Sequence, residues 1–477
     1  MNIPLRRVAL VCAVMMFALL GNVTVIQAFR AQTLNADPRN QRTLIAKFDH
    51  PRGRILTADG TVIAGSRRAS DAGYRYRRTY PEGNLYAAVT GYASLYTTTG
   101  LERAEDARLS GSDARVRVRA LVRDGTIEGA DVRTTIDTRA QRAAYAGLAA
   151  TGRRGAAVAM DPATGAILAM VSYPSYDPTL YTTFDSEKLA RADEQLRKDP
   201  GQPLLNRAIN QNYPPGSTFK IVTTAAGLTS GRYTPDSQVE APARMPLPGT
   251  SIDLGNAGGE ACGDGHPPVA YAFQMSCNTA FARMGIDLGQ DVLRRQAEAF
   301  GFDDDSLTVP MPVARSVYPA GMDQAQTAMS AIGQFDDRAT PLQIAMMAAA
   351  VANDGSLMRP YLVEEVRLPD GSVVERAEPS RWRSAMSAQD AGALTAMMVS
   401  VTQPGGTGAA AAIPGVEVAA KTGTAENLPG AQDHALFTAF APAGEPRVAV
   451  GVVVERAGFG GDVAAPVARQ IMQAVLD

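Results

Sequence analysis

Lysine is scarce in this 477-residue chain, occurring only at positions 47, 188, 198, 220 and 421, while the other 41 of the 46 basic residues are arginine. Arginine therefore supplies positive charge wherever charge alone is needed. A desolvated lysine can also lose its proton and act as a base, whereas arginine stays protonated. Lys220 and Lys421 lie in short motifs rich in Ser, Thr and Gly, so they are the first candidates for a catalytic role.

Histidine and cysteine are as scarce, with three residues of each type. The histidines are His50, His266 and His434, and the chain has no G-x-S-x-G motif, which disfavours a Ser-His-Asp hydrolase. We expect a structural hydrogen bond at His434 and an exposed side chain at His266. A zinc site built from Cys262, His266 and Cys277 would lack a clear fourth ligand, so we predict no metal and no other cofactor.

The charge balance shows no excess of basic residues, since the net charge is −2. A nucleic-acid-binding protein would carry a strongly basic face, so we predict no nucleic-acid partner. An apolar content of 45% and a charged content of 20% are ordinary for a globular protein. The length allows two or three domains.

Residues 8–29 are almost entirely apolar, and Arg6 and Arg7 precede them. A helix of that length spans about 33 Å, enough to cross the hydrocarbon core of a bilayer. The preceding arginines favour a cytoplasmic N-terminus, so the rest of the chain is expected outside the cytoplasm, on a single-pass plasma-membrane anchor. A cleaved signal peptide is the competing interpretation, but no persuasive A-x-A site follows the apolar run.

A change in pattern near residue 150 predicts a domain boundary. Before it, residues 52–65 and 121–137 each place an Asp-Gly pair between apolar runs, which is the strongest short signal of a β-hairpin. After a helical pattern at 138–150, residues 154–174 read as two strands around a turn. Strands and helices then alternate as far as a strand at 447–455 and a helix from about Ala465.

These patterns predict an α/β protein with three parts. Residues 1–30 form the cytoplasmic tip and the anchor, residues 31–150 a small strand-rich pedestal, and residues 151–477 a larger mixed domain.

Three short motifs carry the chemistry, and each occurs once, in a fixed order. They are Ser217-x-x-Lys220, Ser276-Cys277-Asn278 and Lys421-Thr422-Gly423-Thr424. A serine at a turn-to-helix boundary is ordinarily an N-cap, which is the structural alternative for Ser217. The three motifs together are the set found in penicillin-binding proteins and serine β-lactamases.

Each motif residue has a physical task. A serine hydroxyl becomes a good nucleophile when a neighbouring base takes its proton, and Lys220 lies one helical turn from Ser217. A second cation at Lys421 would disfavour the charged form of Lys220. We expect Ser276 to relay a proton to a leaving amine. Asn278 would hydrogen-bond Lys220 and the substrate.

The third motif is expected to lie on a strand beside the substrate. Gly423 has no side chain, which would let a substrate backbone approach that strand. The backbone N–H groups of Ser217 and Thr424 would form the oxyanion hole.

The chain resembles the class B penicillin-binding proteins, which are membrane-anchored D,D-transpeptidases of peptidoglycan synthesis, and most of all the actinobacterial penicillin-binding protein A type. The resemblance covers nearly the whole chain and rests on the three motifs and on five stretches: RGRI with the following Asp-Gly (52–60), GLERAEDARLSG (100–111), NRAINQNYPPGSTFK (206–220), IGQFDDRATPLQIAMMAAAVANDG (332–355) and AAKTGTAE (419–426). Ala420 is a departure, because many relatives have glycine there.

The resemblance implies a fold: a transmembrane helix, a pedestal of the dimerisation type, and a transpeptidase domain with an antiparallel sheet flanked by helices and an all-helical subdomain. It also implies roles for the motif residues. Ser217 would be the acylated nucleophile and Lys220 the general base, with Ser276 and Asn278 in the second motif. Lys421, Thr422 and Thr424 would hold the terminal carboxylate of the substrate.

The resemblance implies partners as well. They are stem peptides ending in D-Ala-D-Ala, β-lactams, the plasma membrane, and a SEDS-type glycan polymerase with other divisome proteins. The enzyme would cross-link peptidoglycan in division or in shape maintenance. Two alternatives remain open at the level of sequence: an anchored β-lactam sensor or β-lactamase using the same motifs, and a non-catalytic divisome scaffold.

Cys262 and Cys277 are the only cysteines beyond the apolar N-terminal run. Oxidation is permitted outside the cytoplasm, and the intervening loop is rich in Gly and Pro, so we predict a disulfide between them. The alternative is a pair of buried thiols.

Overall fold

The computed structural model describes residues 3–30, 47–70, 73–116, 128–426 and 431–477. The helices, in chain order, are α1 (Ile3–Val25), α2 (Gly83–Thr90), α3 (Gly100–Ala104), α4 (Asp106–Leu109), α5 (Thr138–Ala150), α6 (Ser186–Lys198), α7 (Arg207–Asn210), α8 (Lys220–Thr229), α9 (Val269–Gln274), α10 (Asn278–Leu288), α11 (Gln290–Ala299), α12 (Gln324–Ser330), α13 (Pro341–Ala352), α14 (Ala388–Ser400) and α15 (Gly460–Leu476).

The strands, in chain order, are β1 (Ile55–Leu56), β2 (Val62–Arg68), β3 (Tyr76–Thr79), β4 (Asp131–Thr134), β5 (Gly155–Met160), β6 (Ile167–Tyr173), β7 (Arg244–Pro246), β8 (Asp253–Gly255), β9 (Ser356–Met358), β10 (Val363–Arg367), β11 (Val373–Arg376), β12 (Arg381–Ser384), β13 (Ala419–Ala425), β14 (His434–Ala441) and β15 (Val448–Val454). Short 3₁₀ segments occur at Pro178–Tyr181, Gly216–Phe219 and Ala409–Ala411.

The apolar N-terminal run is helical, as predicted, and begins five residues earlier than the predicted segment. Helix α1 continues into a π-helical turn at Ile26–Arg30. An 18-residue window within Ile3–Phe29 has a mean hydropathy of 2.4, and the helix is long enough to cross a membrane. Their side chains pack against no other part of the described chain. These properties make the helix a candidate membrane span.

The first predicted hairpin is confirmed. Strands β1 and β2 are antiparallel, with Ile55 opposite Ala64 and Leu56 opposite Val62, and Gly60 in the turn has a φ of 87°. Glycine adopts this left-handed conformation without steric cost. Of the second predicted hairpin, residues 121–127 lie outside the described residues, and its C-terminal part forms β4.

The sheet around the pedestal draws strands from both sides of the predicted boundary at residue 150. Its strand order is β11-β10-β4-β1-β2-β3. Strand β4 pairs in parallel with β1 and in antiparallel fashion with β10. Strands β10 and β11, which follow the Ser217 and Ser276 motifs along the chain, therefore complete this sheet.

Helix α5 matches the predicted segment 138–150, and it packs with the larger domain. Asp137 caps it by accepting hydrogen bonds from the backbone N–H groups of Arg139 and Ala140. It lies against α15 and β6. A Cβ added at Gly147 would come within 3.0 Å of Val467 on α15, so glycine allows the two helices to approach closely. These contacts favour a boundary before residue 138, and the boundary at 150 remains a prediction.

The sheet that contains the third motif, called the catalytic sheet below, is antiparallel throughout. Its strand order is β13-β14-β15-β5-β6. The two strands predicted within 154–174 are β5 and β6, and the strand predicted at 447–455 is β15. The final helix begins at Gly460, five residues before the predicted start. The sheet is buried between helices, which explains why its strands read as nearly continuous runs of Ala, Val and Phe.

Helix α13 forms the centre of the core beside this sheet. The Thr340 hydroxyl caps it by accepting a hydrogen bond from the backbone N–H of Gln343, and Pro341 occupies its first turn. All but the last of its residues are buried. A Cβ at Gly451 of β15 would lie 2.5 Å from the backbone nitrogen of Ala345, so the helix packs directly on the strand. Helices α8 to α12 form the helical part of the domain and include the short β7–β8 hairpin.

A buried carboxylate joins the separate segments of the pedestal. Glu102 on α3 is 0% exposed, and its two carboxylate oxygens accept hydrogen bonds from Arg52 Nε and Arg78 Nε, each at 2.5 Å. Tyr80 donates to the same carboxylate at 3.1 Å, and Arg78 Nη1 donates to the carbonyl of Gly53 at 2.7 Å. Burial would raise the pKa of Glu102, but the two guanidinium groups hold it below its ordinary value.

We predict that Glu102→Gln destabilises the protein by about 3–5 kcal/mol, because it leaves two desolvated guanidinium groups without their counter-charge. The exposed helical pair Glu194–Lys198 offers a matched control, and Glu194→Gln should cost less than about 1 kcal/mol. Urea unfolding of the full-length protein in detergent, followed by circular dichroism, measures both changes. Equal midpoints for the two variants would contradict a stabilising role of the Glu102 carboxylate.

Candidate active site

Ser217 lies in the tight turn that precedes helix α8. The 3₁₀ segment Gly216–Phe219 has Pro215 at its capping position, so the ordinary N-cap interpretation of Ser217 does not hold. The Thr218 hydroxyl donates to the carbonyl of Pro215 at 2.6 Å and stabilises the turn. The Ser217 side chain is partly exposed, while the residues around it, from Pro215 to Lys220, are buried.

Gly216 places this turn against two other segments of the site. Its backbone N–H donates to the carbonyl of Gly333 at 2.8 Å, and its φ is 51°. A Cβ at Gly216 would lie 2.5 Å from the carbonyl oxygen of Thr424. The serine turn therefore packs directly on the end of strand β13, and only glycine fits between them.

Lys220 begins helix α8 and is 0% exposed. Its Nζ atom lies 2.7 Å from the carbonyl oxygen of Ser276, 2.8 Å from Asn278 Oδ1 and 3.2 Å from Ser276 Oγ. A neutral amine has two N–H donors and one lone pair. Two of these partners can only accept a hydrogen bond, while the Ser276 hydroxyl can donate one. The three contacts are thus compatible with a neutral Lys220.

Electrostatics favour that neutral form. Burial, followed by repulsion from Lys421, lowers the pKa of Lys220 well below its ordinary value. This is the effect that the sequence predicted for a second cation. The Lys220 Nζ atom also lies 5.4 Å from the ring centre of Phe281, and the side chain is fully buried.

Lys421 is the second buried lysine of the site, also 0% exposed. Its Nζ donates to the carbonyl of Thr422 at 3.1 Å and lies 5.6 Å from the ring centre of Phe273. Burial lowers the pKa of Lys421 to about 7. The hydrogen bonds that Lys220 and Lys421 make within the described part of the chain go to carbonyl, amide or hydroxyl oxygens.

Ser276 lies between α9 and α10 with a φ of 58°, in the left-handed region. A residue other than glycine held there costs on the order of 1–3 kcal/mol and persists only when its surroundings impose it. Here the neighbouring Cys277 forms the predicted disulfide with Cys262, with a Cα–Cα distance of 6.0 Å. The backbone N–H of Cys277 also donates to the carbonyl of Ala272 at 2.9 Å.

Asn278 is the first residue of α10, and its side chain joins two segments. Its Oδ1 accepts from Lys220, while its Nδ2 donates to the carbonyl of Gly255 at 3.3 Å. Both the oxygen and the nitrogen of the Asn278 amide therefore have a hydrogen-bond partner. The structure thus brings the first and second motifs together through direct hydrogen bonds.

Strand β13 carries the third motif at the edge of the catalytic sheet. Side chains alternate along a strand, so Lys421 and Gly423 lie on one face while Thr422 and Thr424 lie on the other. The Thr422 side chain is almost fully buried, and its hydroxyl lies 2.9 Å from the Thr407 hydroxyl. Thr424 is partly exposed.

Packing within the protein provides a reason for glycine at position 423 that the sequence analysis did not include. A Cβ there would lie 2.8 Å from Thr218 Cγ2 and 3.0 Å from Leu436 Cβ. The space beside Gly423 is therefore occupied by the serine turn and by β14. Glycine at this position allows strand β13 and the serine turn to contact each other.

Several residues of the site were missed in the sequence. Phe273 and Phe281 lie three residues before and five after Ser276, at apolar helical positions that carry no catalytic signal. Gln334, whose Nε2 lies 3.5 Å from the Thr424 carbonyl oxygen, occurs in a stretch that was quoted only for its resemblance. Thr407 lies between glycines in an ordinary loop sequence.

The histidines lie where the sequence predicted. His434 begins β14, and its Nδ1 accepts a hydrogen bond from the backbone N–H of Arg456 at 3.2 Å. His266 is exposed.

Comparison with known proteins places this geometry in context. Residues 155–473 match the family model of the penicillin-binding protein transpeptidase domain, and residues 52–132 match that of the penicillin-binding protein A dimerisation domain. The chain is 47% identical to peptidoglycan D,D-transpeptidase PbpA of Mycolicibacterium smegmatis, over 100% of the chain and 99% of that protein. It is 44% identical to PbpA of Mycobacterium tuberculosis, with the same coverage.

The fold is similar to solved structures as well. The ceftriaxone acyl-enzyme complex of penicillin-binding protein A from M. tuberculosis superposes with a TM-score of 0.87 at 42% identity, covering 91% of this chain and 100% of that one. PBP2 of Pseudomonas aeruginosa, in complex with WCK 5153, gives a TM-score of 0.76 at 32% identity, covering 90% and 95%.

The low pKa of Lys421 predicts a pH-dependent stability. The folded protein releases this proton near pH 7 and the unfolded chain near pH 10.5, so the unfolded state holds one more proton between these values. The free energy of unfolding, relative to that of Lys421→Met, should therefore rise by about 1.4 kcal/mol per pH unit in this window. Urea unfolding of the full-length protein from pH 6 to 10 measures this difference.

The exposed Lys188 provides the control, since Lys188→Met removes a lysine whose side chain is 68% exposed. Its stability difference from the wild type should stay flat over the same pH range. A flat difference for Lys421→Met would show that Lys421 keeps its ordinary pKa in the folded protein.

Proposed function

The chain belongs to the penicillin-binding protein transpeptidase family and is a serine D,D-transpeptidase of cell-wall synthesis, similar to PbpA over its full length. We propose that Ser217 is its acylated nucleophile. The observation that carries this assignment is the convergence of the first two motifs on one buried amine. Lys220 Nζ, one helical turn from Ser217, contacts both Ser276 and Asn278 and has a strongly lowered pKa.

The proposed reaction begins with a neutral Lys220. Its lone pair takes the proton of the Ser217 hydroxyl as Ser217 Oγ attacks the carbonyl carbon of the penultimate D-alanine. The backbone N–H groups of Ser217 and Thr424 stabilise the tetrahedral oxyanion, since the serine turn packs on the end of β13. Ser276 passes a proton from Lys220 to the leaving amine, and terminal D-alanine departs.

The resulting ester on Ser217 is resolved by an amine of a second stem peptide. That amine attacks the ester carbonyl, loses a proton through the same Ser276–Lys220 pair, and forms the new peptide bond. Ser217 Oγ recovers its proton as it leaves, so the enzyme returns to its starting state. The side chain of Asn278, held by Lys220 and Gly255, is placed to hydrogen-bond the substrate backbone.

The third motif recognises the terminal carboxylate in this proposal. Thr422 and Thr424 share one face of β13 and present their hydroxyls to the carboxylate, and Lys421 supplies positive charge from within the strand. A bound carboxylate favours the protonated form of Lys421, whose pKa of about 7 in the free enzyme leaves it easily charged.

Penicillin-type inhibitors follow the first half of the same path. The β-lactam amide opens on Ser217, and the ester persists because its leaving nitrogen remains tethered. A β-lactamase would need a base for hydrolysing that ester. The contacts of Lys220 and Lys421 with carbonyl, amide and hydroxyl oxygens offer no carboxylate for this purpose in the described part of the chain.

A purely structural scaffold is likewise disfavoured. Two buried lysines with lowered pKa values destabilise a fold, and a scaffold would gain nothing from them.

The catalytic domain is proposed to lie outside the cytoplasm. Arg6 and Arg7 flank the start of the apolar stretch of α1, which favours a cytoplasmic N-terminus. The Cys262–Cys277 disulfide is of a kind that persists in oxidising compartments. We propose further that the pedestal, which lies next along the chain from the anchor, contacts a SEDS-type polymerase or other divisome proteins.

Acylation by penicillin G tests the function directly. The full-length protein should gain the mass of one penicilloyl group, on the peptide containing Ser217, and Ser217→Ala should gain none. The ester should outlast many turnovers of a typical β-lactamase. Rapid catalytic hydrolysis of the antibiotic would instead identify a β-lactamase, and labelling of a different residue would contradict the assignment of Ser217.

Lys220→Arg should slow acylation by about 10²–10⁴-fold, because arginine has approximately the same length but stays protonated and cannot act as a base. Lys188→Arg, on the exposed helix α6, is the matched control and should label at the wild-type rate. Lys421→Arg should have a smaller effect, since that position mainly needs charge. Near wild-type labelling of Lys220→Arg, with unfolding midpoints unchanged, would refute Lys220 as the base.

A further inference from the structure

The Thr422 hydroxyl faces a second hydroxyl that no part of the proposed mechanism uses. Thr407 Oγ1 lies 2.9 Å from Thr422 Oγ1, and either atom can be the donor. Thr407 Oγ1 is also 3.3 Å from the carbonyl oxygen of Gln274, which can only accept. Thr407 therefore lies between the third motif and Gln274. Gln274 is the last residue of helix α9 and precedes Ser276 by two residues.

The number of protons in this group constrains what Thr422 can do. Each hydroxyl has one proton to donate. When Thr407 donates to Gln274, the short contact between the two threonines requires Thr422 to donate to Thr407. Thr422 then has no proton left for a substrate carboxylate, which can only accept.

Carboxylate binding therefore requires the threonine pair to reverse. Thr422 turns its proton to the carboxylate, and Thr407 donates to Thr422 Oγ1 in its place. Thr407 gives up only the contact with Gln274, which at 3.3 Å is longer than a normal O–H···O hydrogen bond. In exchange, Thr422 forms a charge-assisted hydrogen bond, which is roughly twice as strong as a neutral one.

Thr407 is held firmly enough for this task. A Cβ at Gly461 would lie 2.3 Å from the carbonyl oxygen of Thr407, so the start of α15 packs against its backbone. Gln274 is fixed from its other end, because its Nε2 donates to the carbonyl of Ser400 at 3.1 Å. The segment from Ser400 to Thr407 is thus attached to the helix that leads into Ser276.

We propose that Thr407 is a positioning residue for substrate recognition: when the carboxylate is bound, Thr407 donates to Thr422 Oγ1 and so orients and polarises the hydroxyl that donates to the carboxylate. The proposal rests on the proposed function, in particular on Thr422 as a carboxylate ligand. Thr407 itself touches no substrate. It acts through Thr422, and because its contact with Gln274 is lost when the carboxylate binds, it links carboxylate binding to the segment that carries Ser276.

The test compares two ligands on the full-length enzyme: penicillin G, which has a carboxylate, and its methyl ester, which does not. Thr407→Val keeps the shape of the side chain and removes the hydroxyl. Because Thr422 then lacks the hydrogen bond that orients and polarises its hydroxyl, the acylation rate constant for penicillin G should fall roughly 2- to 10-fold, the range expected for one neutral hydrogen bond, and that for the ester should change far less. Thr407→Ser should restore the wild-type preference.

Thr402→Val is the matched control. Thr402 lies on the same segment, and its hydroxyl donates to the carbonyl of Val418 at 2.7 Å, away from Thr422. Its loss should leave the ratio of the two rate constants unchanged. A Thr407→Val enzyme that loses activity equally on both ligands, or keeps the wild-type ratio, would overturn the proposal, as would failure of Thr407→Ser to restore it.

The same measurements separate this inference from the proposed function. If the wild-type protein is not acylated on Ser217, the proposed function fails and the inference fails with it. If the wild type is acylated and prefers the carboxylate, but Thr407→Val keeps that preference, only the role of Thr407 is refuted.

Discussion

Lys220 and Lys421 hold their amino groups inside the protein, where burial and, for Lys220, the charge of Lys421 disfavour protonation. The removal of water from these two groups is the condition on which the catalytic domain depends. It favours the unprotonated form of a common side chain, which is the form that a general base needs. It also explains why their contacts are carbonyl, amide and hydroxyl oxygens, since a nearby carboxylate would restore the charge.

Burying these two amino groups destabilises the folded protein, and the surrounding fold compensates for that cost. The rings of Phe273 and Phe281 occupy positions beside the two amines. The left-handed backbone at Ser276 is kept in place by the disulfide of its neighbour and by the end of α9. Behind them lie α13 and the alanine- and valine-rich sheet, whose close packing supplies the apolar burial that such a site requires.

The motif residues could be predicted because their chemistry restricts the residue type. A lysine in an arginine-rich chain, one helical turn from a serine, has few ordinary explanations, and the geometry around Lys220 agrees with the role expected of it. The hairpin at 52–65 and the helix at 138–150 were accessible for a similar reason, since Asp-Gly turns and helical periodicity are local signals. The disulfide followed from compartment and cysteine number.

The features that could not be predicted depend on contacts between segments that are distant in the sequence. Nothing in the sequence shows that Thr218 fills the space beside Gly423, so the packing reason for this glycine could not be predicted. Thr407 and Gln334 contact residues more than a dozen positions away along the chain, so no local pattern marks them. The packing of α5 on the catalytic sheet was hidden as well, because an alanine-rich helix gives no indication of the sheet that it will cover.

The pairing of β4 with β10 has a consequence for how the protein is made. Strand β4 is synthesised early, and its partner lies at residues 363–367, beyond the first two catalytic motifs. As the chain emerges from the ribosome N-terminus first, the pedestal sheet has an open edge until most of the larger domain has been translated. Such non-local strand pairing is slow to form, and an open edge can pair with other chains. The pedestal is first in the sequence, but its sheet is completed late.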